Sequence, residues 1–139
     1  MTRIGLGLAA VLAVSPAFGQ EVDGVPVGDV ATGAGLYFSY CAACHGLEAR
    51  GDGEMADILT VLPADLTRLS QANDGVFPVT DVVRQIDGRD PLLAHGGVMP
   101  LFGDFFQGDD VAIPSQAGQP IMTSRAIADR TAFLRVIQE

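Results

Sequence analysis

Two cysteines and a histidine stand together at Cys41-Ala42-Ala43-Cys44-His45. Thiols at this spacing with an adjoining imidazole form the C-x-x-C-H pattern of covalent haem attachment. On one helical turn both thiols reach the two vinyl groups of a single porphyrin and can form thioethers. His45 then lies under the ring and offers a nitrogen to the iron. Ala42 and Ala43 are small enough to let the ring approach the backbone. A thioredoxin-like thiol pair has no need of His45. A zinc site needs more ligands, and the chain has no third cysteine. Cys41 and Cys44 are therefore the expected thioether positions of one covalent haem c, with His45 an axial ligand of its iron.

A low-spin electron carrier needs a sixth ligand, and four residues can be weighed for it. Met55 lies only ten positions beyond His45, on the apolar side of an expected helix, and reads better as core. Met122 sits at the base of the final helix. His95, flanked by Ala94 and Gly96-Gly97, would give an iron of lower potential than a thioether would; its plainer reading is a loop histidine bonded to backbone. Met99 is favoured. It stands in Gly96-Gly97-Val98-Met99-Pro100-Leu101, where glycines permit close approach to a ring and Pro100 stiffens the backbone beside the sulfur.

The elements that must position these residues are short. Asp29 is a candidate N-cap for a helix from Val30 to Cys44, with Leu36, Tyr37, Tyr40, Cys41 and Cys44 on one stripe. Gly33 and Gly35 are costly inside it. Gly46 ends it, and Arg50-Gly51-Asp52-Gly53 is turn chemistry. Glu54 to Leu62 reads as a short helix with Met55, Ile58 and Leu62 on one face. Asp65 or Thr67 caps a weak helical stretch to Asn73. Thr80 opens another, Asp81 to Ile86, buried through Val82, Val83 and Ile86. Residues 89–104 read as a long structured loop, Phe102, Phe105 and Phe106 as one helical turn, and 108–120 as irregular. Thr123 or Ser124 caps a last helix to about Val136, whose apolar face holds Ile127, Leu134 and Ile137. No strand pair is expected, so the fold class is all-α, with three to five short helices in one domain.

Residues 1–19 read as a secretory leader: Arg3, an apolar run from Ile4 to Val14, and Ala17-Phe18-Gly19 as a cleavage site before Gln20. The run is short for a membrane span. Residues 20–28 form an N-terminal arm and 29–139 the domain. Export suits covalent haem and places the chain in the periplasm. With both cysteines committed to haem, no disulfide is expected. The chain of 139 residues carries eight arginines and no lysine against seventeen acids, a net charge of −9. Loss of Arg3 with the leader leaves −10 before the haem carboxylates are counted. Such acidity argues against nucleic acid and against direct binding to anionic membranes.

With these pieces together, the chain resembles the class I c-type cytochromes, small carriers with His/Met-ligated haem. The resemblance runs from about Ala31 to the C-terminus. It rests on Gly33-Ala34-Gly35-Leu36-Tyr37 leading into C-x-x-C-H-G, on Gly51-Asp52-Gly53 followed by Pro63-Ala64-Asp65-Leu66-Thr67, and on Ile86-Asp87-Gly88-Arg89, Ala94-His95-Gly96 and Met99-Pro100-Leu101-Phe102-Gly103. Ile127 to Leu134 is similar to the family's final helix. The resemblance implies a cytochrome c fold around one haem, Met99 as the distal iron ligand, and Gly33 meeting Phe133 where first and last helices cross. It also implies that a proline carbonyl, here Pro63, accepts from the second nitrogen of His45. Arg89 and Arg68 are the first candidates to bind the haem carboxylates. The lysines that ring the haem edge in many mitochondrial-type members are missing.

The implied function is a periplasmic, monomeric one-electron carrier, not an enzyme, that meets redox protein donors and acceptors through small transient interfaces and contacts membranes only through partner complexes. The alternatives are a haem subunit of a dehydrogenase or oxidase and, further off, a ligand-binding or peroxidase-like haem protein with an open sixth site.

Overall fold

The computed structural model describes residues 28–88 and 99–139. The expected leader, most of the arm, and Arg89 and His95 lie outside the described residues. Helix α1 spans Val30–Tyr40 and is opened by Asp29, whose carboxylate accepts from the Thr32 N–H at 2.6 Å. The helix expected to continue to Cys44 stops short. Cys41 (φ −117°) separates it from α2, Ala42–His45. Ser39 contributes to the break, because its hydroxyl donates to the Gly35 carbonyl at 2.9 Å and competes with the last turn.

The segment after the motif folds back on α2. Gly53 and Met55 N–H groups donate to the Cys44 and Ala43 carbonyls at 3.1 and 2.9 Å, so the free end of that turn is satisfied by this loop. A Cβ at position 53 would press on those same carbonyls. The helix expected from Glu54 to Leu62 is only a 3-10 turn, Ala56–Ile58. Met55 N–H is already spent on Ala43, and Pro63 pushes Leu62 away from helical angles. Met55, Ile58 and Leu62 are consequently exposed rather than packed. Two further 3-10 turns follow at Leu66–Arg68, capped by Asp65, and Gln71–Asn73.

Helix α3 spans Val79–Asp87 and buries Val82, Val83 and Ile86. Gly88, in the left-handed region (φ 79°), ends it. The expectation of a chain without strands fails at 110–124. Strand β1 (Asp110–Ile113) pairs antiparallel with β2 (Ile121–Ser124), with Val111 opposite Thr123 and Ile113 opposite Ile121. Ile113 and Thr123 point inward and are almost fully buried. Helix α4, Arg125–Val136, starts directly from β2 with Ser124 as its cap.

Helices α1 and α4 pack against each other at Gly33. A Cβ there would run into the Asp129 carbonyl and stand 3.0 Å from Phe133 Cβ. Absence of a side chain is what lets the backbones approach, which is the compensation for a glycine in a helix. Asp129 strengthens the crossing by accepting from the Asp29 N–H at 2.8 Å, and the Tyr37 and Phe133 rings lie 5.2 Å apart. Tyr37, Val83, Ile86, Ile127 and Leu134 belong to one core cluster of the described residues beside this crossing.

Candidate functional site

Five segments of the described residues converge on one cleft of about 430 Å³, within the usual range for a bound organic group. Cys41, Cys44 and His45 line it from α2 and its approach. Met99 and Phe102 line it from the loop after α3, Val82 and Ile86 from α3 itself, and Leu134 and Arg130 from α4. The segment Leu59 to Leu66 contributes Leu59, Val61, Leu62 and Pro63. Val61 and Leu62 are 56% and 76% exposed, although both line this cleft. An apolar face turned to a cleft is the surface an apolar plate would cover.

His45 is buried, and its Nδ1 lies 2.9 Å from the Ala64 carbonyl. Donation there fixes the tautomer and leaves Nε2 with the lone pair a metal needs. The acceptor is therefore Ala64, one residue beyond the expected Pro63. The Leu66 N–H donates to the Ala49 carbonyl at 2.7 Å, which ties this stretch to the loop after His45. Tyr37, fully buried, donates from its hydroxyl to the Gly46 carbonyl at 2.6 Å and pins the end of the motif turn. Burial drives the Tyr37 pKa well above its ordinary value, so the hydroxyl remains a donor at every physiological pH.

Met99 reaches the cleft because its loop is docked on α3. Phe102 N–H donates to the Ile86 carbonyl at 2.9 Å, and Gln85 Nε2 lies 3.8 Å from the Met99 sulfur. The other sulfur candidates do not share this position. Met55 precedes the 3-10 turn and is exposed, and Met122 is half-exposed on β2. Neither lines the cleft.

Cys41, Cys44 and His45 line one cleft, yet among the described residues no three His, Cys, Asp or Glu side chains converge as ligands of a single ion would. Both thiols are free. Burial raises the Cys41 pKa, opposed by the neighbouring Arg130 guanidinium. Two thiols and an imidazole spread along an apolar wall, with a thioether entering the same cleft, fit a broad group gripped at several points. They fit haem c, with Cys41 and Cys44 for its vinyl carbons and His45 and Met99 for its iron.

Comparison with known proteins gave no match: no family model, no curated protein and no solved structure aligns with the chain. The reading of the cleft rests on its own residues.

Arg68, a candidate for haem carboxylates, is solvent-exposed beside Asp65 at 3.7 Å and does not line the cleft. The arginine that does is Arg130, which sequence reasoning passed over. It is 1% exposed. Its position was readable: Ile127, Arg130 and Leu134 follow helical spacing, so Arg130 shares the stripe already assigned to the apolar face. Among the described residues no helix is long and apolar enough to cross a membrane.

Proposed function

We propose that the chain is an exported monohaem cytochrome c that carries single electrons between redox proteins. The observation that supports this most is the convergence of Cys41, Cys44, His45 and Met99 on one apolar cleft. Cys41 and Cys44 would hold the haem through two thioethers, each S–H adding across one vinyl C=C with nothing else consumed. His45, held by Ala64, presents Nε2, and Met99 presents its sulfur. The haem bound there supplies reversible Fe(III)/Fe(II) exchange of one electron, at relatively high potential because a thioether favours the reduced state. Val61, Leu62, Phe102 and Leu134, which line the cleft, would cover the ring and limit its contact with water. Donors and acceptors are other redox proteins, and the acidic surface suits docking against basic patches.

The test is expression of the full chain in cells that mature c-type haem. Covalent haem that survives denaturation and a methionine–iron charge-transfer band in the oxidised protein are expected. Met99→Ala should abolish the band and open the reduced iron to carbon monoxide. A wild-type protein that lacks the band and binds carbon monoxide readily would overturn the electron-carrier reading.

A further inference from the structure

Arg130 is an unusual residue to find in the wall of an apolar cleft. Both terminal nitrogens of its guanidinium are buried and without a hydrogen-bond partner. Its Nε donates to the Ala126 carbonyl of its own helix at 3.2 Å. Its carbon lies 3.7 Å from the centre of the Phe106 ring and 5.5 Å from that of Phe102. No described carboxylate forms an ion pair with it; the described pairs engage Arg50 and Arg68 only. The neighbours from the facing elements are the Cys41 thiol, which is in direct electrostatic contact with the guanidinium, and the Tyr40 phenol; neither is a carboxylate. A guanidinium does not lose its proton in proteins, so a net positive charge sits in the cleft wall. Aromatic faces offset part of its cost. An unpaired buried charge is otherwise strongly destabilising, and a leucine on this stripe would be cheaper.

We propose that Arg130 is a fixed, uncompensated cation that raises the reduction potential of the haem held by Cys41 and Cys44. The inference rests on that haem being present. Reduction adds one negative charge to the group in the cleft, and a cation in a low-dielectric wall stabilises the reduced form. Once Cys41 is a thioether its sulfur can no longer ionise, so it cannot become a counter-charge to Arg130. Arg130 thus tunes the site without binding the iron.

The experiment is spectroelectrochemical titration of the haem-loaded full chain. Arg130→Met should lower electron affinity about tenfold, a fall of about 59 mV for a one-electron couple, the scale of one charge acting through protein. The fall should persist at high salt, because a buried charge is poorly screened. Arg135→Met makes the same change in net charge at an exposed position of the same helix; its shift should be under threefold and vanish with added salt. Arg130→Gln, closer in length and polarity, carries the same expectation as Arg130→Met and serves if the methionine variant loads poorly. Equal shifts for positions 130 and 135 would overturn the proposal. So would a new pH-dependent step in the variant's potential, which would assign Arg130 to a haem carboxylate instead. A wild type without covalent haem overturns the electron-carrier reading as well, whereas a loaded wild type with an unmoved Arg130→Met overturns this inference alone.

Discussion

Two glycines of α1, two residues apart, should respond to the same substitution with opposite signs. Gly33 faces α4, where an added Cβ meets the Asp129 carbonyl and Phe133 Cβ; at Gly35 an added Cβ meets nothing within 4 Å. Each Gly→Ala change gains about 1 kcal/mol of helix propensity. At position 35 that gain stands alone, so Gly35→Ala should stabilise by up to about 1 kcal/mol. At position 33 the obstruction is backbone and cannot rotate away. The helices must separate, at about 3 kcal/mol, the upper end of overpacking costs. Gly33→Ala should therefore lose about 2 kcal/mol net. The propensity term cancels between the two variants, and their difference, about 3 kcal/mol, isolates the crossing. At roughly 4 °C per kcal/mol for a domain of this size, the melting temperatures should lie about 12 °C apart. Urea titration and thermal melting by circular dichroism on the purified chain measure both. Equal stabilities for the two variants would refute the claim that α1 and α4 touch backbone to backbone at Gly33.

Tyr37→Phe should cost about 1–2 kcal/mol, because the buried Gly46 carbonyl loses its donor. Since burial holds the Tyr37 pKa above its ordinary value, that cost should be flat from neutral to mildly alkaline pH; a loss that shrinks there on urea titration would contradict the assignment. Asp29 gives the opposite pH signature. The Thr32 N–H holds its folded pKa below the ordinary carboxylate value, so its contribution is present above the unfolded pKa and is lost as pH falls through the lower folded one. Asp29→Ala should be less stable than wild type at pH 7, with the gap closing as pH drops below the carboxylate range; a gap unchanged in acid would show that the carboxylate does not act as the cap.

The candidate site was more legible in sequence than the fold around it. Cys41, Cys44 and His45 are a contiguous motif whose chemistry depends on spacing alone, and Met99 stood out by its flanking glycines and proline. What escaped depended on non-local contacts. Strands β1 and β2 are four residues each, separated by a loop with two prolines, so an alternation of Val111, Ile113, Ile121 and Thr123 was too short to rise above its surroundings. Glu54 to Leu62 looked like a helix with Met55, Ile58 and Leu62 on its apolar face, because apolar residues without a visible partner suggest packing on the protein itself. Here Leu62 lines a cleft together with Leu59 and Val61, while Met55 and Ile58 are exposed outside it. The Ala64 acceptor of His45 turns on the path of one peptide unit after Pro63, which no pattern of residue types encodes. Arg130 was missed because a charge between apolar positions reads as a solvated gap in the stripe, although helical spacing placed it inward.

Adjacent residues of α4 join the fold to the electrostatics of the cleft. Asp129 turns to α1, receiving the Asp29 N–H and leaving its own carbonyl against Gly33. Arg130, the next residue, turns the other way into the cleft wall over Phe106. A 100° step around a helix produces that division of labour, so the close approach at Gly33 also sets how deeply the guanidinium is seated. Arg130 cannot relax toward solvent without moving α4, and α4 is held by the crossing, by its Ser124 cap and by the strand that leads into it. This explains how an unpaired charge can be retained in an apolar wall: the packing energy of the whole helix opposes its escape. The same rigidity keeps the charge at a constant distance from the cleft, which is what a potential-setting group requires and what a mobile surface arginine could not provide.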